Sequence, residues 1–165
     1  MKYFLWFIGI VILVAVGIVV YTYTPRLGAE QNNTTTDSVV VFFTRMTDTD
    51  MEFVSVDREI VQTNVFEEMV KRTLQELIKG PTAEEARDGL SVSFNSGTEI
   101  NYVKISGNTL TVDFNEKFDI PMGGSARVRS ISQTIDRTIR QFPIDGIDDI
   151  KLTVNNGERE AVLEP

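Results

Sequence analysis

Asn64-Val-Phe-Glu-Glu-Met-Val-Lys-Arg-Thr-Leu-Gln-Glu-Leu-Ile-Lys-Gly80-Pro81-Thr82-Ala-Glu-Glu85 is the stretch whose reading decides the fold. Phe66, Met69, Val70, Thr73, Leu74, Leu77 and Ile78 recur at helical spacing and form one apolar stripe. Asn64-x-x-Glu67 predicts a capping box at the start of this helix. Glu67–Lys71 and Glu68–Arg72 are i,i+4 pairs on the opposite face, in the better orientation. Gly80 can take the left-handed conformation that ends a helix, and Pro81 prevents continuation. Thr82-x-x-Glu85 then opens a second, short turn of helix.

Working outward, Ser38-Val-Val-Val-Phe-Phe43 reads as a buried strand. Glu52–Ile60, beyond the polar turn Thr47-Asp48-Thr49-Asp50, reads as a second strand antiparallel to it. Downstream, Leu90–Phe94 is strand or loop. Ile100–Ile105 and Thr109–Phe114 flank Ser106-Gly107-Asn108, a hairpin signal because the tight turn needs positive φ. Ser125 is placed to cap a helix running to about Phe142, with Val128, Ile131, Ile135, Ile139 and Phe142 as its stripe and Pro143 as its stop. Ile147–Val154 reads as a strand and Asn155-Asn156-Gly157 as a turn, after which Glu160–Leu163 can pair back. The order is ββαββαβ with a short extra helix, an α+β class. The expected architecture is a small mixed or antiparallel sheet with both amphipathic helices on one face. No internal repeat is present.

The N-terminus reads differently. Tyr3 to Thr24 carries no charge, and positions 4–20 hold thirteen Leu, Ile, Val or Phe. As a helix this run spans roughly 33 Å, enough to cross a hydrocarbon core. A cleaved signal peptide would have a shorter apolar core and a small-x-small site, which Leu27-Gly28-Ala29 matches poorly. Residues 1–24 are therefore expected to be a transmembrane anchor, 25–38 (ending NNTTTDS) a flexible linker, and 39–163 the folded domain. The expected placement is single-pass in the cell membrane, N-terminus cytoplasmic and domain extracytoplasmic.

Composition narrows the chemistry. The 165 residues include no Cys and no His, which excludes disulfides, thiolate catalysis, Ser-His-Asp arrangements and zinc sites built on those ligands. A lipoprotein anchor also needs Cys, so attachment must be by the polypeptide itself. From Asp37 onward there are 14 Lys or Arg and 23 Asp or Glu, a net charge of −9. That balance argues against a nucleic-acid partner, whose phosphates demand a basic footprint.

Ordered along the chain, Leu74-x-x-Leu77-Ile78-x-Gly80-Pro81-Thr82-x-x-Glu85, Ser96-Gly97-Thr98, Val112-Asp113-Phe114 and Gly124-Ser125 are followed by two further motifs. These are Gln133-x-Ile135 with Thr138-Ile139-x-Gln141-Phe142-Pro143, and Ile150-Lys-Leu-Thr-Val-Asn-x-Gly157. The set resembles the GerMN domain of spore-germination and sporulation proteins, and Arg58 sits where that family often has Arg. The family usually has Pro shortly before the Gly-Thr; here Phe94-Asn95 occupies that stretch. The resemblance implies a non-enzymatic extracytoplasmic module, similar in fold to ring-building motifs, that supports trans-envelope assemblies. It implies a protein partner or self-association, with no cofactor and no metal.

Asp113, Glu116 and Asp119 form an acidic cluster that could cleave envelope glycans if two carboxylates faced one cleft. The structural alternative has Asp113 accepting backbone N–H groups and ordering the turn that follows it. Asp48-x-Asp50-x-Glu52, with Glu59 in twelfth place, echoes a calcium loop but has Phe53 where Gly is needed. Gly123-Gly124-Ser125 leads into a helix N-terminus without the lysine of a phosphate loop. Arg127, Arg129, Arg137 and Arg140 give the last helix a basic outer side in an acidic protein. That side is either a solvated face or a docking face for an acidic partner or a second copy.

Overall fold

The computed structural model describes residues 35–120, 124–143 and 145–161. The expected anchor at 1–24 lies outside them. Among the described residues no helix is long and apolar enough to cross a membrane.

The described residues open with a hairpin of two eleven-residue strands. β1 (Thr36–Met46) pairs with β2 (Met51–Val61) over its whole length, from Thr36↔Val61 to Met46↔Met51. Both strands are longer than their apolar runs suggest, because the antiparallel ladder carries polar residues outward at both ends. α1 (Phe66–Lys79) and the one-turn α2 (Ala83–Arg87) follow, and then β3 (Leu90–Ser91). β3 returns to β1 through Thr44↔Ser91 and Arg45↔Leu90. β4 (Ile100–Ser106) and β5 (Thr109–Phe114) form the second hairpin, with Gly107 at φ 61° in its turn. α3 (Ser125–Ile139) crosses over to β6 (Asp149–Val154), which lies parallel to β5, and β7 (Arg159–Glu160) closes antiparallel to β6.

The α+β class and the element order hold, but the single sheet does not. Among the described residues there are two sheets, β2-β1-β3 and β4-β5-β6-β7. Hairpin signals specify which neighbours pair locally; they carry no information on whether two hairpins join edge to edge. Here they do not join, and the two sheets share one core instead. Val41 and Phe43 of β1, Leu110, Val112 and Phe114 of β5, and Val154 of β6 belong to a single buried cluster with Val70, Leu74 and Leu77 of α1 and Ile131, Ile135 and Ile139 of α3. The two long helices touch each other and both lie against β1, and α1 also reaches β2 and β4. Phe118 stacks on Phe114 with ring centroids 3.9 Å apart.

Both long helices start differently from expectation. The residue before α1 is Val65, with no side-chain cap; Asn64 is one position too early for the capping box. Gly124 at φ 90° precedes α3, so Ser125 is its first helical residue, and the helix ends at Ile139 rather than near Phe142. Lys71, expected opposite Glu67, donates instead to the Asn101 carbonyl at 2.9 Å, fastening α1 to β4. The Glu68–Arg72 pair forms as expected, at 2.8 Å. Gly80 ends α1 at φ 83°, and Thr82 and Glu85 form the complete reciprocal capping box of α2.

Candidate functional site

The acidic cluster separates into three environments. Asp113, on β5, is fully buried. Its Oδ1 accepts the Thr153 hydroxyl and the Gly157 N–H, each at 2.7 Å. Its Oδ2 accepts Asn101 Nδ2 at 2.8 Å and the Asn156 N–H at 2.9 Å. Burial pushes this carboxyl up, but the bonds from Thr153, Asn101, Gly157 and Asn156 outweigh it and hold it below its ordinary value. A carboxylate enclosed and saturated in this way has neither a proton to donate nor a lone pair turned to solvent. It does accept backbone N–H groups, as one reading of the sequence anticipated. The turn it orders, however, lies some forty residues downstream and does not directly follow it. That turn needs the help: Asn155, Asn156 and Gly157 all have positive φ, 55°, 60° and 81°. The left-handed region costs non-glycine residues about 1–2 kcal/mol each, least for Asn. Asp119 pairs through both its oxygens with Arg159, and its side chain is 2% exposed. Glu116 is exposed.

The four arginines also differ from one another. Arg127 is half-buried; its Nε donates to the Ser93 carbonyl at 2.9 Å and its Nη2 to Asn95 Oδ1 at 3.0 Å. Asn95, one of the two residues in the stretch where the related family usually has Pro, is a hub here. It also donates to the carbonyls of Lys117 and Ile120 and accepts the Thr98 N–H. Arg129, Arg137 and Arg140 are exposed. Arg129 reaches Asp50 at 3.5 Å, Arg137 lies 4.7 Å from the Phe53 ring centroid, and Arg140 pairs with Asp136 at 2.7 Å. A groove beside them is lined by Phe42, Gln133, Asp136, Arg137, Arg140 and Gln141. None of Asp113, Glu116 and Asp119 lines it.

Two arrangements were not anticipated. The first is a clamp: Arg58 of β2 grips Glu85 of α2 with both nitrogens, at 2.9 and 2.5 Å, and lies 5.3 Å from the Phe43 ring centroid. The Arg58 hydrogen bond holds the Glu85 carboxyl at about 2, well below its ordinary 4.5, with a smaller contribution from Thr82. The motif residues were visible in the sequence, but their pairing across 27 positions was not. The second is at the edge of β1. Val40 donates its N–H to Gln141 Oε1 at 2.6 Å, and Gln141 Nε2 donates back to the Val40 carbonyl. Phe42 donates its N–H to the Thr138 hydroxyl at 3.2 Å. The spacing Thr138-x-x-Gln141 signals one helix face; nothing in it points to a strand edge.

Asp50 of the calcium-like stretch accepts the Met51 N–H at 2.7 Å, and Glu52 pairs with Arg45 at 3.6 Å. Among the described residues no group of three Asp or Glu side chains is placed to hold a metal ion.

The family model described as "Germane: Sporulation and spore germination" matches residues 40–160. No curated protein matches significantly. Among solved structures, the tandem GerMN domains of the sporulation protein GerM from Bacillus subtilis align with a TM-score of 0.60 at 21% identity. That alignment covers 77% of this chain and 42% of that one. The first GerMN domain of the same protein gives 0.54 at 22% identity, over 74% of this chain and 86% of its own length. A lipoprotein candidate from Clostridium perfringens gives 0.49 at 18% identity, over 76% of this chain and 79% of that one. Matched over most of its length, the chain belongs to the Germane family of sporulation and spore germination, with its GerMN domain at residues 40–160.

Proposed function

We infer that this chain is a non-enzymatic, membrane-anchored binding module of the bacterial cell envelope, held outside the cytoplasm by residues 1–24. The observation that carries this reading is the exposed row Arg129, Arg137 and Arg140, along α3 and at the residue that ends it, on a domain whose overall charge is strongly negative. Concentrated positive charge on an acidic body steers association towards an acidic protein surface and disfavours contact between like-charged flanks. Three further features support it. The uncharged run Tyr3–Thr24 is long enough to span a bilayer. The matched family is described by sporulation and spore germination. Asp113 and Glu85, whose carboxyls are held below their ordinary values, are both committed to internal bonds.

The test is photo-crosslinking from position 133, between the arginines, in the native membrane. A discrete protein adduct that disappears when Arg129, Arg137 and Arg140 are all changed to Glu is the expected result. An adduct pattern indifferent to those three charges would remove the basis of the reading.

A further inference from the structure

β1 is the middle strand of its sheet, but its second neighbour is only two residues long. The backbone groups of β1 that point away from β2 belong to alternate residues, Val40, Phe42 and Thr44. Thr44 is taken by Ser91 of β3. Beyond it no strand follows among the described residues, and the edge is closed by Thr138 of α3 and by Gln141 just past the end of that helix. The Gln141 amide gives Val40 one donor and one acceptor, as a neighbouring peptide group would, and the Thr138 hydroxyl accepts from Phe42. This is an edge stopped with side chains where a third strand would otherwise lie. The same residues, Phe42 and Gln141, line the groove that also holds Gln133, Arg137 and Arg140.

Resting on the docking reading above, we propose that this edge of β1, Val39–Phe43, is a strand-addition site for an extended acidic segment of a partner protein. The partner strand lies end to end with β3 and displaces the Gln141 amide from Val40 and the Thr138 hydroxyl from Phe42. Main-chain bonds to Val40 and Phe42 supply the pairing, and side chains at alternate positions supply the specificity. The charge lining the groove selects the occupant: Arg137 and Arg140 flank it, and only Asp136, already paired with Arg140, opposes them. The opposite edge of the sheet, β2, carries Glu52, Asp57 and Glu59 and would repel the same segment.

The experiment uses the full chain in lipid nanodiscs and a fluorescein-labelled peptide, Thr-Glu-Val-Glu-Val-Glu-Thr, read by anisotropy. Binding is expected to weaken about fivefold or more on changing Arg137 and Arg140 to Glu. It should tighten by up to about tenfold in Gln141→Ala, because the internal competitor is gone. Gln141→Asn, which withdraws the amide without deleting it, should act in the same direction if the alanine variant folds poorly. Methylation of alternate peptide nitrogens should abolish binding. Equal binding of a Lys-for-Glu peptide, weaker binding by a folded Gln141 variant, or no binding by any variant would overturn the proposal. So would peptide-independent dimers of Gln141→Ala, which would make a second copy the occupant. If the peptide fails while the crosslink from position 133 still depends on the arginines, only the strand-addition site is lost. If both fail, the docking reading falls with it.

Discussion

The Asp113 turn and the Arg58–Glu85 clamp both fasten a loop to a sheet, and they do it with opposite electrostatics. Asp113 is completely enclosed and is held by four uncharged donors, two of them main-chain N–H groups. Glu85 is 20% exposed and is held mainly by one guanidinium that is itself 14% exposed. Both carboxyls sit below their ordinary values. For Asp113 the hydrogen bonds must outweigh the desolvation of a buried charge, whereas at Glu85 the hydrogen bond to Arg58 dominates and desolvation is secondary. A buried charge without a counter-ion is tolerated when every lone pair is satisfied. The consequence is that the Asp113 site depends on backbone shape, and the clamp depends on ionisation.

That contrast can be broken most sharply at Asp113. Asp113→Ala strands the Thr153 hydroxyl and Asn101 amide and releases three left-handed residues, and it should cost about 2–5 kcal/mol in urea unfolding. A loss under about 1 kcal/mol would mean the turn holds itself. Gly157→Ala attacks the same turn from the other side. Its φ is 81°, and an added Cβ would come within 2.9 Å of the Tyr102 hydroxyl, so about 2 kcal/mol of destabilisation is expected by the same measurement. Arg58→Ala should cost less, about 1–2 kcal/mol, because its partner can rehydrate.

Acid sharpens the comparison. Glu85 titrates at about 2 in the folded chain against an ordinary 4.5. Its contribution is therefore complete above pH 4.5 and is lost as pH falls towards 2. Asp113 has the same sign, present above its ordinary 3.8 and lost below it. Urea midpoints measured from pH 6 down to pH 2 should fall for the native chain and fall less steeply for Glu85→Gln. The smallest effect is ionic. Raising NaCl to 1 M should erode the stabilisation from the clamp by a few tenths of a kcal/mol and leave that from the Asp113 turn unchanged, compared through the Arg58→Ala and Asp113→Ala differences.

Much of the local structure was legible. The stripe from Phe66 to Ile78, the Gly80-Pro81 stop, the Thr82/Glu85 capping box and the Gly107 hairpin follow from spacing and from backbone conformations that few residues tolerate. The caps expected at Asn64 and Ser125 are each off by one residue, falling at Val65 and Gly124. The candidate site was less legible. Arg127 belongs to the basic stripe by spacing, yet it turns to Ser93 and Asn95, because the loop it meets lies more than thirty residues away in sequence. Asp113 stands out in the sequence through its acidic cluster and the Val112-Asp113-Phe114 motif, but the partners that fix its role, Thr153, Asn156 and Gly157, come from the parallel neighbour β6 and its turn.

By itself the sequence determined the helices, the hairpins, the charge balance, the absence of Cys and His chemistry, and the ordered motifs of the family. These depend on residue type and on separations of a few positions, where chain geometry leaves little choice. Tertiary structure alone decided that the hairpins form two sheets, that Arg58 meets Glu85, that Asp113 locks a distant turn and that Gln141 closes the edge of β1. Each of those is a contact between residues far apart in the chain. Such contacts are selected by the packing of the whole core, which no local pattern encodes.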